Sequence, residues 1–301
     1  MLTYVRTNIF ESPAQVIVNT VNTVGVMGKG IAKDFKEIYP DMFDEYRNLC
    51  EQRILEVGKL WIYKTSNKWV LNFPTKKHWK SPSKLEYIES GLIKFVNSYA
   101  EKGITSISFP LLGCGNGGLN WEKEVQPLME KYLRPLPIDI FIHLAFDKNQ
   151  VKEHLNIEGT RKWLRSHPNL LSFNEFWDDI FELVSKGISL PDGTFVDFMQ
   201  IEGEKVAVFR KDENSVIVTE EQMMDLWKYV RTVGYCSKQG LPSGLFELGS
   251  AIFNLLSELP YIEPVILGSN ENELQKGIRL IPYLANEEKR MTEDLVNVPK
   301  E

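Results

Sequence analysis

The chain has 301 residues, 43% hydrophobic and 25% charged, which is enough for a sizeable core at a length where cores usually divide in two. No run approaches the roughly 18 apolar residues of a membrane span, and residues 1–6 lack the apolar core of a signal peptide. Three distant cysteines and four histidines without zinc-ligand spacing argue against a disulfide framework and a metal site. We therefore expect a cytoplasmic two-domain protein that needs no metal or cofactor.

Strand-like and helix-like segments alternate through the first half of the chain. Hydrophobic periodicity predicts strands over residues 2–6, 15–21, 104–110 and 138–144, a hairpin over 57–63 and 69–73, and helices over 30–39, 85–103 and 121–133. The first of these helices should stop at Pro40, and Asn120 is available to cap the last. Such βαβ alternation predicts a three-layer α/β/α sandwich with a mixed, mostly parallel sheet.

The second half has a different pattern, typical of a smaller α+β domain. We predict a helix over residues 173–184, an antiparallel meander of strands over 195–201, 205–210 and 215–219, and helices over 220–233 and 246–259. Thr219 and Gln222 stand at capping-box spacing at the start of the helix predicted over residues 220–233. We place the first domain at residues 1–150, a polar linker at 151–165 and the second domain at 166–301. Helical spacing in the last of these runs predicts five core residues, namely Phe246, Leu248, Ile252, Phe253 and Leu256.

The two halves carry opposite net charge. Residues 1–150 hold 19 Lys/Arg and 16 Asp/Glu, whereas residues 151–301 hold 16 and 25. The balance is therefore +3 against −9, which favours different partners, although an acidic surface often serves solubility alone. The candidate surface acids are Glu202, Glu204, Asp212, Glu213, Glu220, Glu221 and Asp225.

Two glycine-rich segments each follow a predicted strand. Backbone N–H groups can converge on a diphosphate only where small residues permit close approach and positive φ. Either segment alone would be explained as a tight turn, but two at one sheet edge predict a cleft for an extended, phosphate-bearing ligand. The segments are Asn22-Thr23-Val24-Gly25-Val26-Met27-Gly28-Lys29-Gly30-Ile31 and Gly113-Cys114-Gly115-Asn116-Gly117-Gly118-Leu119.

Together with the intervening motif FPTKKHW, the motifs VNTVGVMGKGIA and PLLGCGNGGLNW resemble the macrodomain family, and within it the DNA ADP-ribosyl glycohydrolase antitoxins called DarG. The resemblance covers roughly residues 1–145. It implies ADP-ribose binding, with Asn22 at the distal ribose and the two glycine segments around the diphosphate. Many macrodomains have an aspartate at the adenine where this chain has Asn8, whose amide oxygen is a weaker acceptor. The implied ligand-binding residues are Asn8, Asn22, Met27, Gly28, Lys29, Gly30, Ile31, Gly113, Cys114, Gly115, Asn116, Gly117, Gly118 and Leu119.

Lys76 is the candidate catalytic residue. Glycosidic bonds are usually broken by two carboxylates, but residues 110–121 contain no acid and residues 22–35 contain only Asp34, well inside its helix. Lys76 follows a predicted strand, and a partly desolvated lysine can act as a nucleophile; the alternative is a solvated loop lysine. The resemblance implies that this lysine acts on the anomeric carbon of the distal ribose. Some relatives add an aspartate in the second loop, where Gly117 stands here, which favours a mechanism centred on lysine.

A basic, aromatic stretch surrounds Lys76. Residues 59–84 contain seven lysines and no acid, interleaved with five aromatic residues of which about half should be structural. Cations can follow phosphates while aromatic rings stack on bases, so we expect substrate DNA to contact Thr75, Lys77, His78, Trp79 and Lys80. Cys114 is either a thiol activated by the loop amides or a small residue packed beneath them.

These features and the resemblance imply an enzyme that removes ADP-ribose from bases of single-stranded DNA. The acidic second half would then bind a DarT-like ADP-ribosyltransferase toxin, whose own DNA-binding surface should be basic. Two alternatives stay open: a reader that binds ADP-ribose without turnover, and a hydrolase of small derivatives such as ADP-ribose 1''-phosphate or O-acetyl-ADP-ribose. The lysine motif favours turnover, and the basic stretch favours a polymeric substrate.

Overall fold

A computed structural model describes residues 1–144, 153–201, 203–268 and 274–281. It divides the chain into two compact units, Met1–Arg161 and Lys162–Glu301. Helix α5 (Ile157–Arg165) and a 3-10 turn at Glu153–Leu155 occupy most of the predicted linker. Within the described residues, none of the helices combines the length and the apolar character needed to cross a membrane.

The first unit contains a six-stranded sheet in the order β1-β6-β5-β2-β4-β3. All neighbouring strands run parallel except β3 and β4, which form the predicted antiparallel hairpin. The elements are β1 (Leu2–Val5), β2 (Val16–Val21), α1 (Gly30–Ile38), α2 (Pro40–Glu51), β3 (Trp61–Lys64), β4 (Trp69–Pro74), α3 (Leu85–Ser98), β5 (Ser106–Phe109), α4 (Gln126–Leu133) and β6 (Asp139–His143).

Helices cover both faces of this sheet. Val16 and Val18 of β2 share one buried cluster with Phe95 of α3 and Met129 of α4. Because side chains alternate along a strand, Ile17 and Asn19 point to the opposite face, where α1 and α2 bury Phe35, Met42 and Tyr46. The predicted α/β/α sandwich with a mixed, mostly parallel sheet is therefore confirmed.

Several helix boundaries differ from the sequence prediction: α3 ends at Ser98, the helix predicted over residues 246–259 covers only Gly249–Leu256, and the chain departs from the prediction near Pro40 and Asn120. The chain does leave α1 before Pro40, but this proline then begins α2, which was missed. Proline is tolerated in the first helical turn because the N–H that it lacks has no intrahelical partner there. The helix predicted over 121–133 begins as one π-helical turn at Trp121–Val125, and the Asn120 side chain caps it by accepting the Lys123 N–H at 2.8 Å.

The second unit is α+β, with a four-stranded and a three-stranded sheet. The first sheet has the order β10-β9-β8-β7 and contains the predicted meander, and the second has the order β11-β13-β12. The elements are α6 (Phe173–Val184), β7 (Ile188–Ser189), β8 (Phe195–Ile201), β9 (Glu204–Lys211), β10 (Asn214–Val218), α7 (Glu220–Val233), β11 (Tyr235–Ser237), α8 (Gly249–Leu256), β12 (Ile262–Leu267) and β13 (Gln275–Leu280).

Packing in this unit centres on α6 and α7. Phe176 and Trp227 stack with ring centroids 4.3 Å apart, and the Thr219–Gln222 capping box is present at the start of α7. Ile252, Phe253 and Leu256 are buried as expected, but Leu248 is only half-buried and Phe246 is 49% exposed, so the core prediction for Phe246 was wrong. Phe246 precedes the first turn of α8, where helical periodicity no longer decides which way a side chain points.

Candidate functional site

A cavity of about 780 Å³ opens at the carboxyl edge of the six-stranded sheet. Its lining residues follow β1, β6, β5, β2 and β4, which are five neighbouring strands. Neighbouring strands lie about 4.8 Å apart, so the cavity extends across about 19 Å of sheet. That length suits an extended ligand, and the middle of the cavity lies between the two glycine segments.

The first glycine segment is shaped by the side chain of Asn22. Its amide oxygen accepts the N–H groups of Val24 and Val26 at 3.0 and 3.3 Å, and its amide nitrogen donates to the Val26 carbonyl at 2.6 Å. The Tyr46 hydroxyl lies 2.9 Å from the Asn22 carbonyl oxygen and 3.0 Å from its amide oxygen. Asn22 lines the cavity, and its polar atoms hold the loop in shape.

The remaining residues of the first glycine segment either line the cavity or pack behind it. Gly28, Lys29, Gly30 and Ile31 line the cavity, and Gly30 has φ of 58°, in the left-handed region that favours glycine. Met27 does not line the cavity: its side chain is buried and its sulfur lies 3.8 Å from the Asn19 amide nitrogen. The predicted ligand contact by Met27 is therefore not available to its side chain in this structure.

The second glycine segment folds around Ser83. The Ser83 N–H donates to the Gly117 carbonyl at 2.9 Å, and a Cβ placed on Gly117 would lie 2.2 Å from the Ser83 hydroxyl oxygen and 2.3 Å from the Gly113 carbonyl oxygen. Side chains do not approach so closely, which explains why residue 117 is glycine. The cavity is lined from this side by Gly113, Gly115, Asn116 and Gly117.

The other predicted contacts of this segment lie behind the wall. Cys114 is buried, and burial raises the pKa of its thiol to about 12, so it is the small packed residue of the two alternatives and not an activated thiol. Gly118 has φ of 83° and turns the chain back. Leu119 then donates its N–H to the Gly113 carbonyl at 3.0 Å and packs its side chain against the core.

Lys76 lies at the end of β4 and lines the cavity with a side chain that is 5% exposed. Backbone hydrogen bonds fix the segment on both sides of it. The Thr75 N–H donates to the Val21 carbonyl at 2.9 Å, and the Thr23 hydroxyl donates to the Lys77 carbonyl at 2.7 Å. The ammonium nitrogen of Lys76 lies 3.5 Å from the Trp79 carbonyl. The lysine is thus held in the cavity wall beside the first glycine segment, and the interpretation as a solvated loop lysine is wrong.

The residues after Lys76 make a tight turn. The Lys80 N–H donates to Nδ1 of His78 at 3.1 Å. Lys77 is exposed, His78 and Lys80 are half-buried, and Thr75 lines the cavity. Trp79 is fully buried, so the structure leaves its ring no open face for stacking on a base, which contradicts its prediction as a substrate contact.

Carboxylates are scarce around the cavity. Among the described residues that line it, only Asp34 is acidic. It is exposed on α1, and partial desolvation beside the helix raises the pKa of its carboxyl above the ordinary value. An acid and a base of the usual glycosidase kind would need two carboxyl groups flanking the scissile bond. The described part of the wall supplies no such pair.

The opposite end, beyond β1 and β6, contains residues that the sequence analysis missed. Asn8 lines the cavity as predicted, and its amide oxygen accepts the Phe10 N–H at 3.1 Å. Phe10 and His143 also line this end, and the Phe10 ring packs on Phe35 of α1 at 4.7 Å. An available signal was that His143 follows the apolar residues 140–142 at the end of a strand, since a buried polar residue there must have partners.

The basic stretch of residues 59–84 is only partly free to bind phosphates. Lys59 and Lys84 form ion pairs with Glu56 and Glu86 at 2.7 and 3.6 Å. Lys68 donates to the carbonyl oxygens of Ser12 and Ala14 at 2.9 and 2.5 Å, which gives it a structural role. Among the aromatic residues of this stretch, Phe73 and Trp79 are buried. The half-buried ones are Trp61, Tyr63 and Trp69.

Comparison with known proteins places these features in a family. Residues 18–128 match the Macro domain family. The DNA ADP-ribosyl glycohydrolase of Mycobacterium tuberculosis is 43% identical over 165 residues, which are 54% of this chain and 46% of that protein. A DNA ADP-ribosyl transferase–DNA ADP-ribosyl glycohydrolase fusion protein of Thermosipho africanus is 40% identical over 166 residues, 49% of this chain and 42% of that protein.

A solved structure, the macrodomain of Thermus aquaticus DarG, is 41% identical, with a TM-score of 0.46 and coverage of 48% of this chain and 99% of that one. The aligned part of this chain spans less than half the length of both curated relatives. The cavity, the two glycine segments and the residues that match the Macro domain family all fall in the first unit, which therefore contains a macrodomain.

Proposed function

We propose that this protein is a DNA ADP-ribosyl glycohydrolase that removes ADP-ribose from bases of single-stranded DNA. The observation that carries the proposal is the buried Lys76, held at one end of a cavity whose middle is formed by two glycine segments. The relatives at 40 and 43% identity bear the name of this activity. Backbone amides of the two segments would hold the diphosphate, and the distal ribose would then lie at Lys76.

The proposed chemistry follows from the scarcity of carboxylates. Cleavage at the anomeric carbon passes through a centre with oxocarbenium character, and Lys76 is the group positioned to act on it. An amine that attacks this carbon displaces the base and leaves an adduct that sodium cyanoborohydride reduces after the sugar ring opens to an imine. We expect denaturing mass spectrometry to show whether such an adduct forms on Lys76.

A polymeric substrate fits the surface beside Lys76 better than a small metabolite does. Lys64 and Lys77 are exposed, and Trp61 and Tyr63 are half-buried, whereas the Lys64 ammonium lies over the Trp69 ring at 3.7 Å from its centroid. Ammonium groups neutralise phosphates, and aromatic faces stack on bases without regard to sequence. The edge strand β3 and the turn after β4 would therefore hold the nucleotides that flank the modified base.

The test uses a single-stranded oligonucleotide carrying ADP-ribose on one base. We expect wild-type protein to release ADP-ribose and Lys76→Ala to lose release while still binding free ADP-ribose. Lys94→Ala, which removes an exposed lysine of α3 that the proposed site does not use, is the control and should keep turnover. If wild-type protein binds ADP-ribose and leaves the oligonucleotide intact, the protein is a reader. If it releases ADP-ribose only from ADP-ribose 1''-phosphate or O-acetyl-ADP-ribose, it is a hydrolase of small molecules.

The second part of the proposal is that the acidic half binds a DarT-like ADP-ribosyltransferase and thereby contributes to an antitoxin role. A transferase that modifies DNA needs a basic DNA-binding surface, and residues 151–301 carry a net charge of −9. Five of the candidate acids are exposed, namely Glu204, Asp212, Glu213, Glu221 and Asp225; Glu220 is half-buried and Glu202 lies outside the described residues. The fusion of both activities in the Thermosipho africanus relative supports such a pairing.

Charge reversal tests this pairing without removing a domain. Replacing Glu204, Asp212 and Glu213 together by lysine should weaken co-purification with the transferase, and high salt should weaken the wild-type complex, because exposed charges are screened. Glu101→Lys, on an exposed residue of the first unit, is the control. A complex that withstands both the triple reversal and high salt would show that acidic attraction through this surface does not hold it together.

A further inference from the structure

Three buried polar side chains form a connected line beneath one end of the cavity, and the proposed reaction makes no use of them. His143 ends β6, Ser108 lies on β5, and Ser12 precedes β2; their exposed fractions are 3, 0 and 5%. Nε2 of His143 lies 3.1 Å from the Ser108 hydroxyl oxygen, which lies 2.6 Å from that of Ser12. Buried polar groups are costly unless each finds a partner, and these three find one another.

The outer partners of the line fix the direction of its hydrogen bonds. Nδ1 of His143 is 2.9 Å from the Thr7 carbonyl oxygen, which can only accept, so Nδ1 carries the proton. In the neutral ring Nε2 then accepts from the Ser108 hydroxyl, and Ser108 accepts from Ser12. The Ser12 oxygen in turn accepts the Ala14 N–H at 3.1 Å. Every member of the line is thereby satisfied.

This line holds both ends of the short segment that forms the far wall of the cavity. Thr7 immediately precedes Asn8, and Ser12 immediately follows the 3-10 turn Ile9–Glu11. Inside the segment, Asn8 and Phe10 line the cavity. The backbone N–H of Ser12 also donates to the Ile9 carbonyl at 3.2 Å. The position of the wall is therefore set by side chains from β5 and β6 as well as by its own turn.

The wall lies at the end of the cavity opposite Lys76. This inference rests on the proposed function, which puts the distal ribose at Lys76 and the diphosphate between the glycine segments. The adenosine of the ligand must then extend towards β1 and β6. There the Phe10 ring, supported by Phe35 of α1 at 4.7 Å, and the amide of Asn8 offer a flat apolar surface and a polar edge. A purine requires both.

We propose that His143, Ser108 and Ser12 form a positioning line that holds the Asn8–Phe10 wall in place to receive the adenosine of the ligand. His143 is then a positioning residue that acts through Thr7, and it touches no reacting atom. Loosening the line should weaken binding of ligands that contain adenosine and should leave the chemistry at Lys76 unchanged. A purely structural role would instead reduce binding of all ligands together.

The test compares three ligands by calorimetry: ADP-ribose, AMP and ribose 5-phosphate. We expect Ser108→Ala, which leaves Nε2 of His143 without its donor, and His143→Phe, which removes both bonds, to weaken ADP-ribose and AMP by about tenfold or more, with ribose 5-phosphate unchanged. His143→Asn keeps a donor for the Thr7 carbonyl and should recover part of the loss. Ser106→Ala is the control, because Ser106 lies on the same strand and bonds the Gln15 N–H instead.

Turnover of the modified oligonucleotide gives a second measurement. The variants of the line should raise KM and leave kcat within about twofold, the opposite of the pattern expected for Lys76→Ala. Equal loss for all three ligands, unchanged AMP binding in both variants, or a fall in kcat alone would overturn the inference. Wild-type protein that fails to bind ADP-ribose at all would instead refute the proposed function, so the two failures are distinguishable.

Discussion

Replacing Gly117 by alanine should damage ligand binding far more than the same change at Gly115, two residues earlier in the same loop. A Cβ at residue 117 would stand 2.2 Å from the Ser83 hydroxyl oxygen, 2.8 Å from the Ser83 Cβ and 2.3 Å from the Gly113 carbonyl oxygen. A Cβ at residue 115 has no heavy atom within 4 Å. One loop thus supplies both the perturbation and its control.

The magnitude follows from how far the loop must move. Cβ contacts essentially never fall below 3.0 Å, so the Gly113 carbonyl and residue 117 must separate by about 0.7 Å, and backbone cannot rotate away as a side chain can. Overpacking of this kind costs about 1–3 kcal/mol. If the loop moves out of its binding geometry by that amount, affinity for ADP-ribose falls by about 5- to 150-fold. Ser83→Ala in the same chain should not restore it, because the Gly113 carbonyl remains.

Calorimetric titration with ADP-ribose measures this directly, with thermal unfolding recorded for each variant. We expect Gly117→Ala to lose affinity while remaining folded, and Gly115→Ala, whose Cβ meets no protein atom but enters the cavity wall, to keep wild-type stability and to lose less affinity. Binding of Gly117→Ala within twofold of wild type would refute the reasoning, because it would mean that the loop accommodates a side chain at this position at no cost to the site.

Three further predictions concern burial and capping. Burial raises the pKa of each cysteine thiol, so a disulfide reagent at pH 8 should label the native protein slowly and the denatured protein three times per chain; rapid labelling of Cys114 would contradict its packed position. Thr219→Ala should lower the free energy of unfolding by about 1 kcal/mol in urea titrations because the capping box of α7 is lost. Burial lowers the pKa of Lys36 from 10.5 to about 8, so the unfolded chain binds more protons between these values and unfolding free energy should rise with pH there; Lys36→Met should remove that part of the slope.

The location of the site could be predicted from sequence because parallel strands share one carboxyl edge. Once the segments after β2, β4 and β5 were each recognised as loops that follow strands, their meeting at one edge followed from βαβ topology. Lys76 and most of the glycine wall were found in this way. Which side chains of those loops face the cavity was less accessible, since Met27, Cys114 and Trp79 turn inward and are buried.

The features that sequence analysis missed depend on contacts between distant parts of the chain. His143 and Ser12 are joined through Ser108 across two strands, and no local pattern marks such a line. The sheet of β11, β13 and β12 was missed for a related reason. Pro264 argues against a strand, but β12 is an edge strand of that sheet, where proline is tolerated.

The segment 76–83 connects Lys76 with the requirement for glycine at residue 117. Residues 76–83 begin with Lys76 in the cavity wall and end with Ser83, whose N–H holds the Gly117 carbonyl and whose side chain fills the space where a side chain at residue 117 would lie. A carboxylate at residue 117 is therefore excluded by the backbone of its own loop as well as by Ser83. Under the proposed function, this packing leaves the reaction to Lys76, and it predicts that Gly117→Asp reduces activity and binding together and adds no second catalytic group.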